Sequence, residues 1–288
     1  MAAEKMTVRP IASADVAAVA RFLHQHLNSR VSASAWSALL APPWKSVGPN
    51  HGFQLFSGDA LVGVYAAVYA ERTIGQATVT VCNLAAFCVL EPHRMHGLRL
   101  VRALLKQDGV EFTDLSPSGN VIAMNERLGF KRLDTSTRLT INLPALPRRG
   151  VTVTSNPHEL EASLHGEDAV AYRDHRAAAA AHHLLVRGGE RYAYLIFRRD
   201  RRKRVPVFAS PLFVGGDREL LRRAWPQVSA WLLSRGLLAT LAERRILGFL
   251  PTSPGRLLAN PRPKMYRGTH LDPQNVDYLY SELALVRW

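Results

Sequence analysis

The segment VLEPHRMHGLRLVRALLK (Val89–Lys106) limits the fold more than any other part of the chain. A strand-like apolar run ends in a proline. An amphipathic helix with Leu98, Val101, Leu104 and Leu105 on its apolar face begins a few residues later. Between them lie His93, Arg94, His96 and a lone Gly97, and Arg99 falls in the first turn of the helix. A helix start offers unpaired backbone N–H groups and the positive end of a dipole, so anions collect there. A glycine lets the backbone come close to such a ligand. The turn therefore predicts a phosphate cradle, better suited to a pyrophosphate than to a neutral molecule.

The surrounding chain supplies the sheet this unit needs. MTVRPIA reads as a short strand, and Ser13 or Asp15 can cap a helix running to about His26. RVSASAWSALLA is a second helix, stopped by Pro42 and Pro43. Gly58-Asp59 marks the turn of a hairpin between two apolar runs. QATVTVCNLAAFCVL is a further strand, long enough to bulge in the middle. GVEFTDLS is another, Asn120 to Leu128 is a short helix closed by Gly129, and STRLTINL is a last strand. PALPRRG (Pro144–Gly150) is the best boundary, with domains expected at 1–145 and 151–288.

The second half repeats the order. DAVAYRDHRAAAAAHHLLVRGG predicts a helix, its alanines needing no functional explanation, with His182 and His183 at its solvated end. ERYAYLIFRR and RVPVFASPLFV are strands joined by a basic turn. DRELLRRAWPQVSAWLLSRG is a helix interrupted near Trp225, and VDYLYSELALVR is a closing strand. Helix, hairpin, strand, helix and late strand thus recur, which predicts a duplicated architecture.

The formal net charge of +14 divides into 16 Lys+Arg against 10 Asp+Glu in residues 1–150 and 21 against 13 in residues 151–288. The excess is spread over both halves, so anionic partners are favoured without a choice among them. FRRDRRKRV (Phe197–Val205) holds six basic residues, but no aromatic residues interleave to stack bases, so nucleic acid is not the expected partner. Cys82 and Cys88 lie six residues apart in one strand, roughly 20 Å and beyond disulfide reach. Two free thiols, no signal-like start and no apolar run of ~18 residues predict a cytoplasmic protein without a transmembrane segment. His93 and His96 have no third ligand at suitable spacing, so no metal is expected.

Arg94-Met95-His96-Gly97-Leu98-Arg99, with Val89 five residues before it, resembles motif A of the GNAT acyltransferases, the Gcn5-related superfamily. That pattern is an aliphatic strand end followed by [QR]-x-x-G-x-[GA] opening a helix. NVIAMNERLGF resembles the motif B helix and its Gly-Phe stop, and the likeness spans about residues 6–145. It implies an α/β (α+β) fold of two GNAT-like domains, each a mixed, mostly antiparallel sheet flanked by helices, the second degenerate. It also implies transfer of an acetyl or other acyl group from acyl-CoA to an amine by direct attack. Phe87, Cys88 and Val89 would pair with the pantetheine arm, and His93, Arg94, Met95, His96, Gly97, Leu98 and Arg99 would hold the phosphates.

Two residues depart from the pattern. Arg99 replaces the last glycine or alanine of the loop, and Asn125 stands where many members carry a tyrosine acid. Asparagine can bond a thiolate or hold a water but cannot act as an acid. No clear carboxylate base lies on the central strand. Asn83 is the nearest polar residue, with Tyr69, Tyr65 and Glu71 on the preceding hairpin, and deprotonation through water is expected.

In the second half Asp217 and Glu219 sit at the helix start and would repel a pyrophosphate. The closing NVDYLYSELALVRW resembles GNAT-like proteins of bacterial surface-polysaccharide gene sets, which implies an amino sugar or another small amino-bearing or anionic acceptor. A transferase using aminoacyl-tRNA and a non-catalytic coenzyme-binding module are the alternatives.

Overall fold

The computed structural model describes residues 5–119, 121–202 and 205–287. In chain order the elements are β1 (Met6–Pro10), α1 (Val16–His26), α2 (Ala33–Leu40), β2 (Gly52–Ser57), β3 (Ala60–Ile74), β4 (Ala77–Val89), α3 (Gly97–Leu105), β5 (Val110–Asp114), α4 (Val121–Arg127) and β6 (Lys131–Arg132). They continue as β7 (Thr137–Ile141), β8 (Val151–Thr154), α5 (Pro157–Ser163), α6 (Gly166–His175), β9 (His182–Gly188), β10 (Arg191–Arg202) and β11 (Val205–Gly216). The last are α7 (Arg218–Arg223), α8 (Trp225–Ser234), β12 (Ala239–Glu243), α9 (Arg244–Leu247), β13 (Gly255–Leu257), β14 (Met265–Arg267) and α10 (Glu282–Leu285). No helix among the described residues is long and apolar enough to cross a membrane.

Two compact units result. The first holds the chain up to Leu133 with Pro263–Val276 and Tyr280–Val286, and the second holds Asp134–Arg262 with Asp277–Leu279 and Arg287. The sheet of the first unit runs β1-β2-β3-β4-β5-β14-β6, and that of the second runs β8-β9-β10-β11-β12-β7-β13. Each contains one parallel pair, β4/β5 or β11/β12, and the other neighbours are antiparallel. The predicted mixed, mostly antiparallel sheets and their duplication are both present.

The sixth strand of each sheet comes from outside its contiguous stretch. β7, inside 1–145, pairs with β12 and β13, while β14, inside 151–288, pairs with β5 and β6. The compact units therefore depart from the 1–145 and 151–288 division. An alternating apolar pattern specifies that a strand is buried on one face, not which edge it covers.

Local chemistry explains most of the remainder. Ser32 caps α2 by accepting the Ala35 N–H at 3.2 Å, and Gly58 at φ 57° makes the β2–β3 turn that a side chain would strain. β4 pairs with β3 over its whole length and bulges at Ala85, since Ala66 faces Ala86 while Ala67 faces Leu84. α7 and α8 break at Ala224, just before Pro226. Both cysteines are free and buried, and burial pushes the Cys88 thiol up to about 11.

Two elements differ from expectation, and β6, β8, α5, β12, α9, β13 and β14 had no counterpart in it. The predicted helix through residue 189 ends at His175, and His182–Gly188 form β9 instead. Leu184, Leu185 and Val186 are fully buried between β8 and β10, and burying both faces outweighs the few tenths of a kcal/mol per residue by which alanine favours a helix. His182 and His183 thus lie on a strand. The predicted closing strand is irregular chain followed by α10, capped by Ser281 Oγ accepting the Leu283 N–H. Asn120, Lys203, Arg204 and Trp288, which belong to the expected motif B helix, basic turn and closing segment, lie outside the described residues.

Candidate active site

The parallel pairing of β4 with β5 is short. It runs from Thr80↔Val110 to Asn83↔Thr113 and stops, while β4 continues to Val89 beside β3 alone. Among the described residues, no strand pairs with the β5-side edge of β4 from Leu84 to Val89. Backbone donors and acceptors on such an edge are open to an extended ligand. Phe87, Cys88 and Val89 lie there.

A buried polar cluster sits where the strands part. Asn83, Thr113, Asp114, Asn125 and Glu282 are each no more than 5% exposed. The Asn83 amide donates to Glu282 Oε2, Ser116 Oγ donates to Glu282 Oε1 at 2.6 Å, and Thr113 Oγ1 donates to Asn83 Oδ1 at 3.1 Å. Donors aimed at a carboxylate favour its ionised form. Asp114, at the end of β5, accepts from the Asn125 amide at 2.8 Å. Its pKa is pushed up to about 7, first by burial and then by the charge of Glu282. Asn125 Oδ1 is buried and has no hydrogen-bond partner among the described residues. Burial first, then Asp114, Cys82 and Glu282, also hold the Tyr65 hydroxyl protonated.

The cluster thus contains two of the polar residues that the sequence singled out, Asn83 and Asn125, and joins them through carboxylates that it did not. Tyr69 is elsewhere. Its hydroxyl lies among Asn50, at 3.2 Å, and Gln107, whose amide donates to it at 2.9 Å. Burial raises its pKa further.

The basic turn is a 3-10 turn, Glu91–His96, with Pro92 in its first positions. His93 N–H donates to Leu90 C=O at 2.9 Å, and Gly97 N–H donates to Arg94 C=O, so these two donors are engaged within the turn. Arg94 pairs with Glu91 at 2.8 Å with both side chains exposed, and Arg99 Nη1 donates to the Met6 carbonyl at 3.3 Å. Met95 and Leu98 are exposed, and His93 and His96 are half-buried.

Gly97 has ordinary helical angles, φ −56° and ψ −33°, so its conformational freedom is not used. A Cβ there would lie 2.9 Å from Phe87 Cζ, so the missing side chain lets α3 close on β4. Gly97→Ala is expected to destabilise the chain by about 1–2 kcal/mol, overpacking outweighing better helix propensity. In a Phe87→Leu background the same change should be neutral or stabilising. Urea denaturation of the four chains reads the coupling, and equal costs in both backgrounds would rule out the contact.

In the second unit the corresponding strand end is closed by its own acids. A Cβ on Gly215 would lie 1.8 Å from Asp168 Oδ1, and Asp168 also accepts from Tyr192 OH at 2.8 Å. Asp217 Oδ1 accepts the Leu220 N–H at 2.9 Å and caps α7, while its other oxygen pairs with Arg191. Carboxylates at a helix start disfavour an anion there.

Two mixed seven-stranded sheets flanked by helices, each with one parallel pair, define a two-unit α/β protein. The chain has the GCN5-related N-acetyltransferase (GNAT) fold. A GCN5-related N-acetyltransferase from Anabaena variabilis ATCC 29413 aligns over 91% of this chain and 72% of its own at TM-score 0.60 and 12% identity. A putative acetyltransferase from Pyrococcus horikoshii aligns over 96% of this chain and 95% of its own at TM-score 0.53 and 12% identity. The GCN5-related glucosamine N-acetyltransferase region of a fungal multi-domain GH3 β-N-acetylglucosaminidase aligns over 92% of this chain and 38% of that one, at TM-score 0.57 and 11% identity. No protein-family model and no curated protein matches the chain.

Proposed function

We propose that the chain is an acyltransferase that moves an acetyl or other short acyl group from acyl-CoA to an amine, with the first unit as the catalytic one. The observation that carries this is the unpaired edge of β4 beside a buried carboxylate cluster. An extended pantetheine arm matches the edge around Phe87, Cys88 and Val89, and the basic turn with His93, Arg94, Met95, His96 and Arg99 suits its phosphates, packed by Gly97 and Leu98. Backbone N–H groups on that edge would stabilise the oxyanion of the tetrahedral intermediate. Glu282 takes the proton as the amine nitrogen bonds to the thioester carbon, and the C–S bond then breaks to release the coenzyme thiolate. Asn83 and Ser116 position that base, and Asn125 positions Asp114.

The second unit, with Asp168 and Asp217 at its strand end, takes no coenzyme in this reading. The fold shared with a glucosamine N-acetyltransferase region supports an amino sugar as the first acceptor to try. The test is calorimetry with acetyl-CoA followed by thiol release against a panel of amines and amino sugars. One coenzyme per chain and acceptor-dependent thiol release are expected. Coenzyme binding without turnover on the whole panel would make the chain a binding module, and binding of charged tRNA in place of acetyl-CoA would make it an aminoacyl transferase.

A further inference from the structure

A second site lies within the second unit, remote in its sheet from the strand end just described. A cavity of about 310 Å³ opens where β9 begins, β10 approaches its basic end and α8 finishes. Phe197 pairs with His182 across β9 and β10, and Leu237 lies two residues before β12, so the cavity is at the end where β11 and β12 start their parallel pairing. Gly215 and Gly216 are at the opposite end of β11.

Its walls are rings and its rim is cationic. Phe197 meets the Trp231 ring edge-on with centroids 6.4 Å apart and stacks with His182 at 5.4 Å and 28°. Such faces and edges suit a flat ring. Arg176, Arg199 and Arg235 stand among the lining residues, and no described lining residue is acidic. Arg176 is paired with Glu161 at 2.8 Å, whereas Arg199 and Arg235 make no ion pair among the described residues. Arg199 Nη2 donates to the Arg235 carbonyl at 3.1 Å, and the Arg235 guanidinium lies 4.8 Å over the Trp231 ring. Two exposed guanidinium groups are thus set beside an aromatic wall. Burial, with Arg199 and Arg287, holds the His182 imidazole down to about 4, so His182 is an uncharged part of that wall at neutral pH. His183 is already engaged by the Tyr194 hydroxyl at 2.6 Å and the His175 carbonyl at 3.2 Å.

We propose that this cavity binds a small aromatic carboxylate, its ring against Phe197 and Trp231 and its charge on Arg199 and Arg235. The volume is at the low end for ligand pockets, which fits one or two fused rings rather than a nucleotide. This site stands independently of the acyl-transfer reading.

The test is calorimetry on the full chain with 2-naphthoate. One site is expected, with 2-naphthamide bound at least about tenfold more weakly and with Arg199→Gln and Arg235→Gln each weakening 2-naphthoate by about tenfold, the scale of a charged hydrogen bond. Both arginines are exposed, so the variants should unfold at the wild-type temperature. Inorganic phosphate at millimolar concentration should not displace the probe, nor should acetyl-CoA. No binding, equal affinity for acid and amide, wild-type affinity in both variants, or displacement by phosphate or acetyl-CoA would each overturn the proposal.

Discussion

Exchange of Glu282 for glutamine is expected to lower the turnover number for amine-dependent thiol release by about 10²–10⁴-fold, the usual contribution of a positioned general base. Affinity for acetyl-CoA should stay within about twofold, because the base acts on the acceptor and not on the coenzyme. The substitution keeps shape and removes the proton-accepting charge. It also takes away a negative charge beside the buried Asp114, so the folded state should be no less stable. Asn83→Ala, which removes a donor that orients Glu282, should lower turnover by a smaller factor. Unchanged turnover in Glu282→Gln, measured on a chain that still binds the coenzyme, would assign Glu282 a purely structural role.

The distance in sequence between these groups explains why the base was not legible. Asn83 is in the middle of β4, Asp114 ends β5, and Glu282 arrives 199 positions after Asn83 in a four-residue helix. The local signal around Glu282 favoured a strand, because VDYLYSELALVR is rich in aromatic and branched residues and only Ser281 marks a helix start. Asp114 carried a weak hint, as an acid at the end of a buried strand. By contrast, the β4–turn–α3 unit, the β2–β3 hairpin and the bulge in β4 depend on neighbours within a few residues and could be read directly. Gly97 is a local signal with a second cause: its missing Cβ is required by Phe87 on β4, ten residues earlier in the chain. The placement of β7 was obscure for the opposite reason, since its pattern was clear but edge choice is a tertiary property, while β14, three residues long, carries too short a pattern to read.

The cluster also predicts an unusual pH dependence of stability. Asp114 titrates near 7 in the folded chain against an ordinary value of 3.8. Between those values the folded state binds more protons than the unfolded one, so unfolding free energy falls as pH rises. A displacement of about three pH units, at about 1.4 kcal/mol each, amounts to a loss on the order of 4 kcal/mol by pH 8. Asp114→Asn retains an acceptor for the Asn125 amide and cannot ionise, so its stability should be nearly flat over that range apart from other groups. Urea denaturation from pH 4.5 to 8 gives the comparison directly: the wild type should lose ground to Asp114→Asn as pH rises, most steeply between about pH 4.5 and 6.5, and the difference should level off above pH 7. Parallel curves would mean that Asp114 ionises at its ordinary pH. Combining Asp114→Asn with Glu282→Gln tests the coupling, because removing the Glu282 charge lets Asp114 ionise at lower pH. The benefit of Asp114→Asn at pH 8 should then shrink in the Glu282→Gln background, leaving the part that burial alone imposes.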